Sequence, residues 1–249
     1  LTELESANQA LRGEVERERE LDRQRMAFFN AASHELKTPV TILKGQLTGM
    51  LEGVGVYQNR DKYLLRSLQV TGRMENLVQE MLTISRMEAG AAAMKQEPVE
   101  LSALLEEQLK LDAGLLEQRS QHLDKELTPG ITTIGDAVLL GKVLGNLISN
   151  ASLYSPDGAG IRIWCGWQDG RPAVTVENAE AHIGKDALPH LYEAFYREEC
   201  SRNRASGGSG LGLAITRNVV LMHKGAIKLS SKEGEGSTFT LRIPLNYIA

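Results

Sequence analysis

Two cysteines, Cys165 and Cys200, are all that this 249-residue chain contains, and they form no CxxC pair. That leaves too few thiols for a metal site and suits a reducing compartment, with both residues as packing or surface positions. Basic residues are not in excess: 28 Lys and Arg against 32 Asp and Glu give a net charge of −4. No basic stripe or arm therefore argues for DNA or RNA as a direct partner. No run approaches the ~20 apolar residues of a membrane span, and the start resembles no signal peptide, so the chain as given reads as soluble, without membrane contact of its own. Internal repeats and low-complexity tracts are absent. An initiator methionine and an N-cap are missing too, because residues 1–11 open directly in a heptad pattern. This predicts a cut inside a longer helix, with further domains upstream.

What is present is ordinary globular composition, 42% hydrophobic and 24% charged, in a length that suits one large or two ordinary domains. Residues 1–51 read as one long amphipathic helix, charged through residues 14–25, with Pro39 the place for any bend. Gly53 and Gly55 break it. A second helix over residues 59–89 keeps Val70, Met74, Leu77, Met81 and Ile84 at three- and four-residue spacing. Two such helices make an antiparallel hairpin with too few faces to bury both apolar stripes, so dimerisation into a four-helix bundle is expected over packing on the second domain. Residues 90–98, Ala-rich and closed by Pro98, read as a connector and hinge. Beyond them, helical spacing at residues 101–116 and 137–153 alternates with β-like runs at 131–134, 161–167, 173–177, 226–231 and 237–243, a two-layer α/β domain. The expected divisions are residues 1–21 as a signalling helix, 22–92 as the hairpin, 93–98 as linker and 99–249 as the α/β domain.

Three stretches carry chemistry. The first, residues 33–42, sets His34, Glu35 and Thr38 on a helix whose apolar seam is Phe29, Ala32, Leu36, Val40, Leu43, Leu47 and Met50. His34 falls outside that seam and shares a face with Thr38, four residues on, so a bundle presents both to solvent. Nucleophile, carboxylate and hydroxyl together are what a phosphoryl-accepting histidine needs. The second stretch places Asn146 and Asn150 four apart on one helix face among Leu144, Leu147, Ile148 and Ala151. A carboxamide oxygen is a hard ligand suited to Mg²⁺, although helix-to-loop capping explains the same pattern. The third, residues 207–215, is a glycine-rich loop running into an apolar helix, where backbone amides and the helix dipole favour an anion. It is neither a Walker loop nor a Rossmann turn. Upstream, residues 197–206 are polar and partly basic, like a mobile lid with cations for phosphate.

Taken together and in order, these motifs resemble the sensor histidine kinases of two-component systems across nearly the whole chain. SHELKTP resembles the H box, residues 146–154 the N box, residues 191–197 the F box and residues 208–213 the G2 box. Within that family the wording SHELKTPVTILKG, the lid and the unusual G1 region are most similar to the VanS-type vancomycin-resistance sensors, B type. The resemblance implies a histidine-phosphotransfer bundle followed by a GHKL-type ATP-binding sandwich. It implies a membrane-anchored parent protein at the cytoplasmic face, a HAMP-like region before the opening helix, and a homodimer acting on a VanR-like response regulator. It further implies that His34 takes the γ-phosphate of ATP and that Glu35 is the base or orienting acceptor. Thr38 would position water when the same surface dephosphorylates the regulator. Asn150 would hold Mg²⁺ with Asn146 in support, Tyr154 would line the nucleotide pocket, Asn178 would meet adenine and Arg197 the terminal phosphate. Gly208, Gly210 and Gly212 would let the lid close over the phosphates.

Two departures stand out. Where the family's G1 box reads DxGxG, this chain has Asn178, Ala179, Glu180, Ala181 and His182. An uncharged carboxamide could still accept the adenine hydrogen bond, worth roughly 1 kcal/mol less. The N box usually carries a cation where Leu153 stands here. Weak ATP binding is expected. Two other readings follow, a dimeric scaffold that no longer binds ATP or keeps only phosphatase activity, and an ATPase without a histidine acceptor, which SHELKTP argues against.

Overall fold

The computed structural model describes residues 2–88, 94–179, 182–197, 208–232 and 236–243. The chain divides into two units, Leu1–Met81 and Leu82–Ala249.

In the first unit, α1 (Thr2–Glu52) runs without interruption through Pro39. Gly53 and Gly55, both at positive φ, end it, and a short 3₁₀ turn (Gly55–Gln58) leads into α2 (Arg60–Glu88). Tyr57 folds back onto the face of α1, where a Cβ on Gly49 would collide with its ring. Its own ring centroid lies 4.6 Å from that of Tyr63. A polar tie crosses the hairpin from Ser67 Oγ to Gln46 Oε1 at 2.9 Å. Ala32, Met50, Tyr63 and Leu77 are buried, whereas Phe29, Val40 and Leu47 of the expected seam are 61%, 48% and 44% exposed. A single hairpin thus leaves much of its apolar stripe uncovered.

The second unit is built on a five-stranded mixed sheet. Its strands are β2 (His122–Leu127), β4 (Gly160–Gln168), β5 (Arg171–Asn178), β6 (Ala226–Lys232) and β7 (Gly236–Arg242), in the order β2-β4-β5-β7-β6. The β2–β4 pair is parallel and the other pairs are antiparallel. A separate ribbon pairs β1 (Glu97–Glu100) with β3 (Thr132–Gly135). On one face of the sheet lie α3 (Leu101–Gln118), α4 (Ala137–Tyr154) and α5 (Gly212–Met222), with α4 between its neighbours and against β5. Leu140, Val143, Leu144, Leu147 and Ile148 of α4 are fully enclosed with Ile163, Val176, Leu241 and Val219 in the layer between. This is the expected two-layer α/β architecture, following the helical hairpin in the chain.

Two strands were not evident from pattern. Every residue of β2 except Leu127 is exposed, so no alternation marks it. Glu97 and Pro98, the end of the expected linker, lie in β1, where Pro98 pairs with Ile134 in a ribbon of two edge strands that tolerates a missing donor. Residues 90–93 of the expected hinge, Ala89 before it, and Cys200 lie outside the described residues. Cys165 is buried, and burial pushes its thiol up to about 11 despite a hydrogen bond with Ser102.

Candidate functional site

In the first unit, His34 and Glu35 are exposed on α1, and Thr38 sits one turn on, its hydroxyl 3.5 Å from the His34 carbonyl. Ser33 turns its hydroxyl back to the Phe29 carbonyl at 2.8 Å. Ala32, two residues before His34, is 2% exposed and anchors the opposite face. The helical period therefore puts the imidazole and the carboxylate in water, on the side of α1 away from Ala32.

In the second unit, three sequence motifs meet around the start of α5. The Asn146 carboxamide donates from Nδ2 to the Gly212 carbonyl at 3.0 Å, and a Cβ on Gly212 would lie 3.4 Å from Asn146 Cγ. Gly212 is therefore a close-packing glycine as well as part of the loop. Gly210, at φ +76, accepts from the Phe195 amide at 2.9 Å, and a Cβ there would lie 2.8 Å from the Phe195 backbone. Gly208 lies beside Tyr154, a Cβ position 3.9 Å from the phenol oxygen. Ser209 Oγ accepts from the Leu211 amide at 3.1 Å and shapes the loop as it enters α5. Asn150 is half-buried one turn beyond Asn146, and Arg197 is half-buried after Phe195. Residues 198–206, most of the expected lid, Gly207 of the glycine-rich loop, and Glu180 and Ala181 of the G1 region lie outside the described residues.

Asn178 ends β5 on the side-chain face shared by Val174 and Val176, the face that the helices cover. It is 5% exposed, and its Oδ1 is buried without a hydrogen-bond partner. An unmet acceptor in an otherwise apolar layer costs stability, on the order of 1–3 kcal/mol, unless a ligand supplies the donor. The exocyclic amine of a purine is such a donor, so the position fits a nucleotide base. Among the described residues no three His, Cys, Asp or Glu gather to hold a metal. For Mg²⁺, Asn150 could supply one neutral oxygen beside nucleotide phosphates.

Several supporting residues gave little sequence signal. Gly236, at φ +90, lets β7 approach β5, and a Cβ there would run into the Asn178 carbonyl. Ser231 Oγ joins Ser237 Oγ at 2.8 Å and accepts from the Ile183 amide at 2.9 Å, tying the G1 segment to the sheet edge. Asp136 caps α4, its Oδ1 accepting from the amides of Val138 at 3.0 Å and Leu139 at 3.1 Å. An Asp before an apolar helical run is a readable cap signal. His223, buried at the end of α5, accepts from the Asp136 amide through Nε2 at 3.0 Å, while Nδ1 lies 2.8 Å from the Val219 carbonyl. It thereby links the end of α5 to the start of α4. Burial holds its pKa below the usual histidine value, against the raising effects of the Val219 carbonyl and of Asp136. Arg119 and Gln121 gather the carbonyls of Ser152 and Ser155 at the far end of α4.

Comparison with known proteins gives the same two parts. Residues 24–90 match the His Kinase A (phospho-acceptor) domain, and residues 135–247 match the histidine kinase-, DNA gyrase B-, and HSP90-like ATPase family. The chain is 35% identical over 231 residues to the phosphate regulon sensor protein PhoR of Pseudomonas aeruginosa, covering 91% of this chain and 52% of that protein. It is also 35% identical over 210 residues to the sensor protein VanSB of Enterococcus faecalis (84% and 47%). The figures for the histidine-protein kinase BaeS of Escherichia coli are 35% over 222 residues (89% and 47%). The chain thus spans about half the length of these relatives. Among solved structures, the histidine kinase AdeS of Acinetobacter baumannii superposes with a TM-score of 0.72 at 27% identity, over 86% of this chain and 98% of that one. Histidine kinase ThkA, solved in complex with the response regulator TrrA, shares the fold with a TM-score of 0.68 at 22% identity, over 86% and 60%. The chain therefore carries a His Kinase A (phospho-acceptor) domain followed by an ATPase domain of the histidine kinase-, DNA gyrase B-, and HSP90-like family, and over most of its length it is similar to sensor histidine kinases.

Proposed function

We propose that this chain is the kinase portion of a two-component sensor, in which His34 is phosphorylated from ATP and passes the phosphoryl group to an aspartate of a response regulator. The observation that carries the reading is the exposed His34–Glu35 pair on a helical hairpin, joined in one chain to a domain where Asn146, Phe195 and Gly208–Gly212 converge.

In this reading a neutral imidazole nitrogen of His34 attacks the γ-phosphorus. The bond to the bridging oxygen breaks and ADP leaves. Glu35 orients the ring and accepts from its other nitrogen. Asn150 offers its carboxamide oxygen to Mg²⁺, which would neutralise phosphate charge, and Asn146 holds the start of α5 beside it. The base sits at Asn178, Tyr154 lines the pocket, Arg197 meets the terminal phosphate, and the Gly208–Gly212 loop closes on the phosphates. Thr38 positions water for the opposing activity, hydrolysis of the regulator's aspartyl phosphate to aspartate and inorganic phosphate.

The exposed apolar residues of the hairpin, Leu47, Leu51, Leu64, Leu65 and Leu68 among them, support a homodimeric four-helix bundle. ThkA, crystallised with its response regulator, supports a partner of that class. A vancomycin-resistance sensor acting on a VanR-like regulator is the narrower proposal, supported by the likeness to VanSB; PhoR and BaeS are equally similar, so the broader reading is the one we carry forward. No helix among the described residues is long and apolar enough to cross a membrane. Membrane anchorage at the cytoplasmic face is proposed for the parent protein alone. A second reading, a weakened or phosphatase-only scaffold, draws its support from Leu153 and Glu180, standing where the family has a cation and a glycine.

The test is incubation with γ-labelled ATP and Mg²⁺ beside His34→Gln. Acid-labile, alkali-stable label on the wild type and none on the variant supports the kinase. Absence of label at millimolar ATP moves the reading to the scaffold.

A further inference from the structure

The carboxamide at Asn178 has a chemical property that a carboxylate lacks, since it carries a donor and an acceptor side by side. Asn178 lies at the end of β5 on the helix-covered face, level with Ser237 of β7 and Ile161 of β4. Ile161 offers nothing polar. Ser237 Oγ is engaged with Ser231 Oγ at 2.8 Å, and Ser231 Oγ already receives the Ile183 amide. Asn178 Oδ1 meets no donor, so no hydrogen bond to that oxygen fixes which end of the amide faces a ligand. A half-turn about the last side-chain bond exchanges the two ends at little steric cost, because oxygen and nitrogen are nearly the same size.

We propose that Asn178 makes this nucleotide site tolerant of 6-oxo purines, so that inosine and guanosine triphosphates are bound alongside ATP. The inference rests on the proposed nucleotide site. With adenine, the 6-amino group donates to Oδ1 and Nδ2 donates to N1. With a 6-oxo purine, the turned amide donates from Nδ2 to O6 and accepts from N1–H at Oδ1. Both edges are met by the same side chain. A carboxylate at this position has two acceptors and no donor, so in the same pose it would accept from the 6-amino group of adenine while opposing N1, or accept from N1–H of a 6-oxo purine while opposing O6. An acid thus leaves one acceptor opposed with either base, and only the amide meets both edges in full.

The experiment is competition of MgATP and MgITP for the whole chain, read by displacement of a fluorescent ATP analogue, for wild type, Asn178→Asp and Asn178→Ala. ITP differs from ATP only at the 6-position edge. Wild type should bind the two within about threefold of each other, and Asn178→Asp should weaken both by about tenfold or more, as expected when a buried polar group is left opposed. Asn178→Ala should weaken both nucleotides to a similar extent. A wild-type preference for ATP above about threefold, or undiminished affinity for both nucleotides in Asn178→Asp with an intact thermal transition, overturns the inference. If wild type binds neither nucleotide at millimolar concentration, the nucleotide-site reading itself fails and the inference goes with it.

Discussion

Replacing Arg119 by methionine tests whether the far end of α4, which carries Asn150 and Tyr154, is held from outside the helix. The Arg119 guanidinium donates to the Ser152 carbonyl, to the Ser155 carbonyl at 3.0 Å and to Asp157 Oδ1 at 2.9 Å. Charged hydrogen bonds to carbonyls contribute about 1.5–3 kcal/mol each, and these carbonyls sit at the negative end of the helix dipole. The Asp157 pair adds little, because that carboxylate is 77% exposed and its ion pair is screened. The loss is also cushioned, since Gln121 Nε2 donates to Ser152 O at 2.9 Å and more weakly to Ser155 O at 3.4 Å. Arg119→Met should therefore cost about 2–3 kcal/mol rather than the roughly 5 of two full charged bonds. For a unit of this size that is a fall in melting temperature of about 5–10 °C, read by calorimetry or circular dichroism. Arg119→Met with Gln121→Leu removes the cushion and leaves Ser152 Oγ without the Gln121 Oε1 that it meets at 2.6 Å. The double variant should exceed the sum of the singles by at least about 1 kcal/mol. A single-variant loss under about 0.5 kcal/mol, or strict additivity, would refute the clamp.

Other outcomes follow from the same geometry. His223 has a lowered folded-state pKa, so the unfolded chain takes up the proton first; stability is complete above about pH 6.5 and declines below it, by up to about 1.4 kcal/mol per pH unit, until the folded pKa is passed. Urea midpoints between pH 7.5 and 5 should show this slope in wild type and a flatter one in His223→Gln, and equal slopes would exclude His223 as the source. Gly210→Ala forces a side chain onto the Phe195 backbone at φ +76; it should cost about 1–2 kcal/mol or more and lower nucleotide affinity, with unchanged affinity counting against the contact between F box and loop. Cys165 should resist alkylation in the native state at pH 8 and react at once in urea, as a thiol raised to about 11 in a buried setting requires. Leu65→Glu with Leu68→Glu, two sites 65% and 68% exposed on the hairpin, should leave the unit folded and shift the dimer to monomer in ultracentrifugation.

Much of the architecture was legible because its signals are local. The period of the apolar positions in α1 and α2, the Gly53 and Gly55 break, and the β-like runs of β4, β5, β6 and β7 all stand within windows of about ten residues. What escaped was whatever lacks a local period. β2 is exposed almost throughout and pairs in parallel with β4 from far along the chain. β1 sat inside a stretch that reads as linker. His34 and Glu35 were found because nucleophile, carboxylate and helix face are written in adjacent letters, whereas Arg119, Gln121, His223 and Ser231 act across 31 to 87 residues of sequence.

By itself the sequence determined that a histidine lies on the outside of an amphipathic helix and that a glycine-rich turn enters an apolar one, because helical geometry converts spacing into direction. Only the tertiary structure decided that Asn146 reaches the Gly212 carbonyl, that Gly210 lies against Phe195, and that Asn178 Oδ1 is left without a donor. Those facts depend on how strands and helices from distant parts of the chain are brought side by side, and burial turns an ordinary amide into an unmet acceptor only once that packing exists.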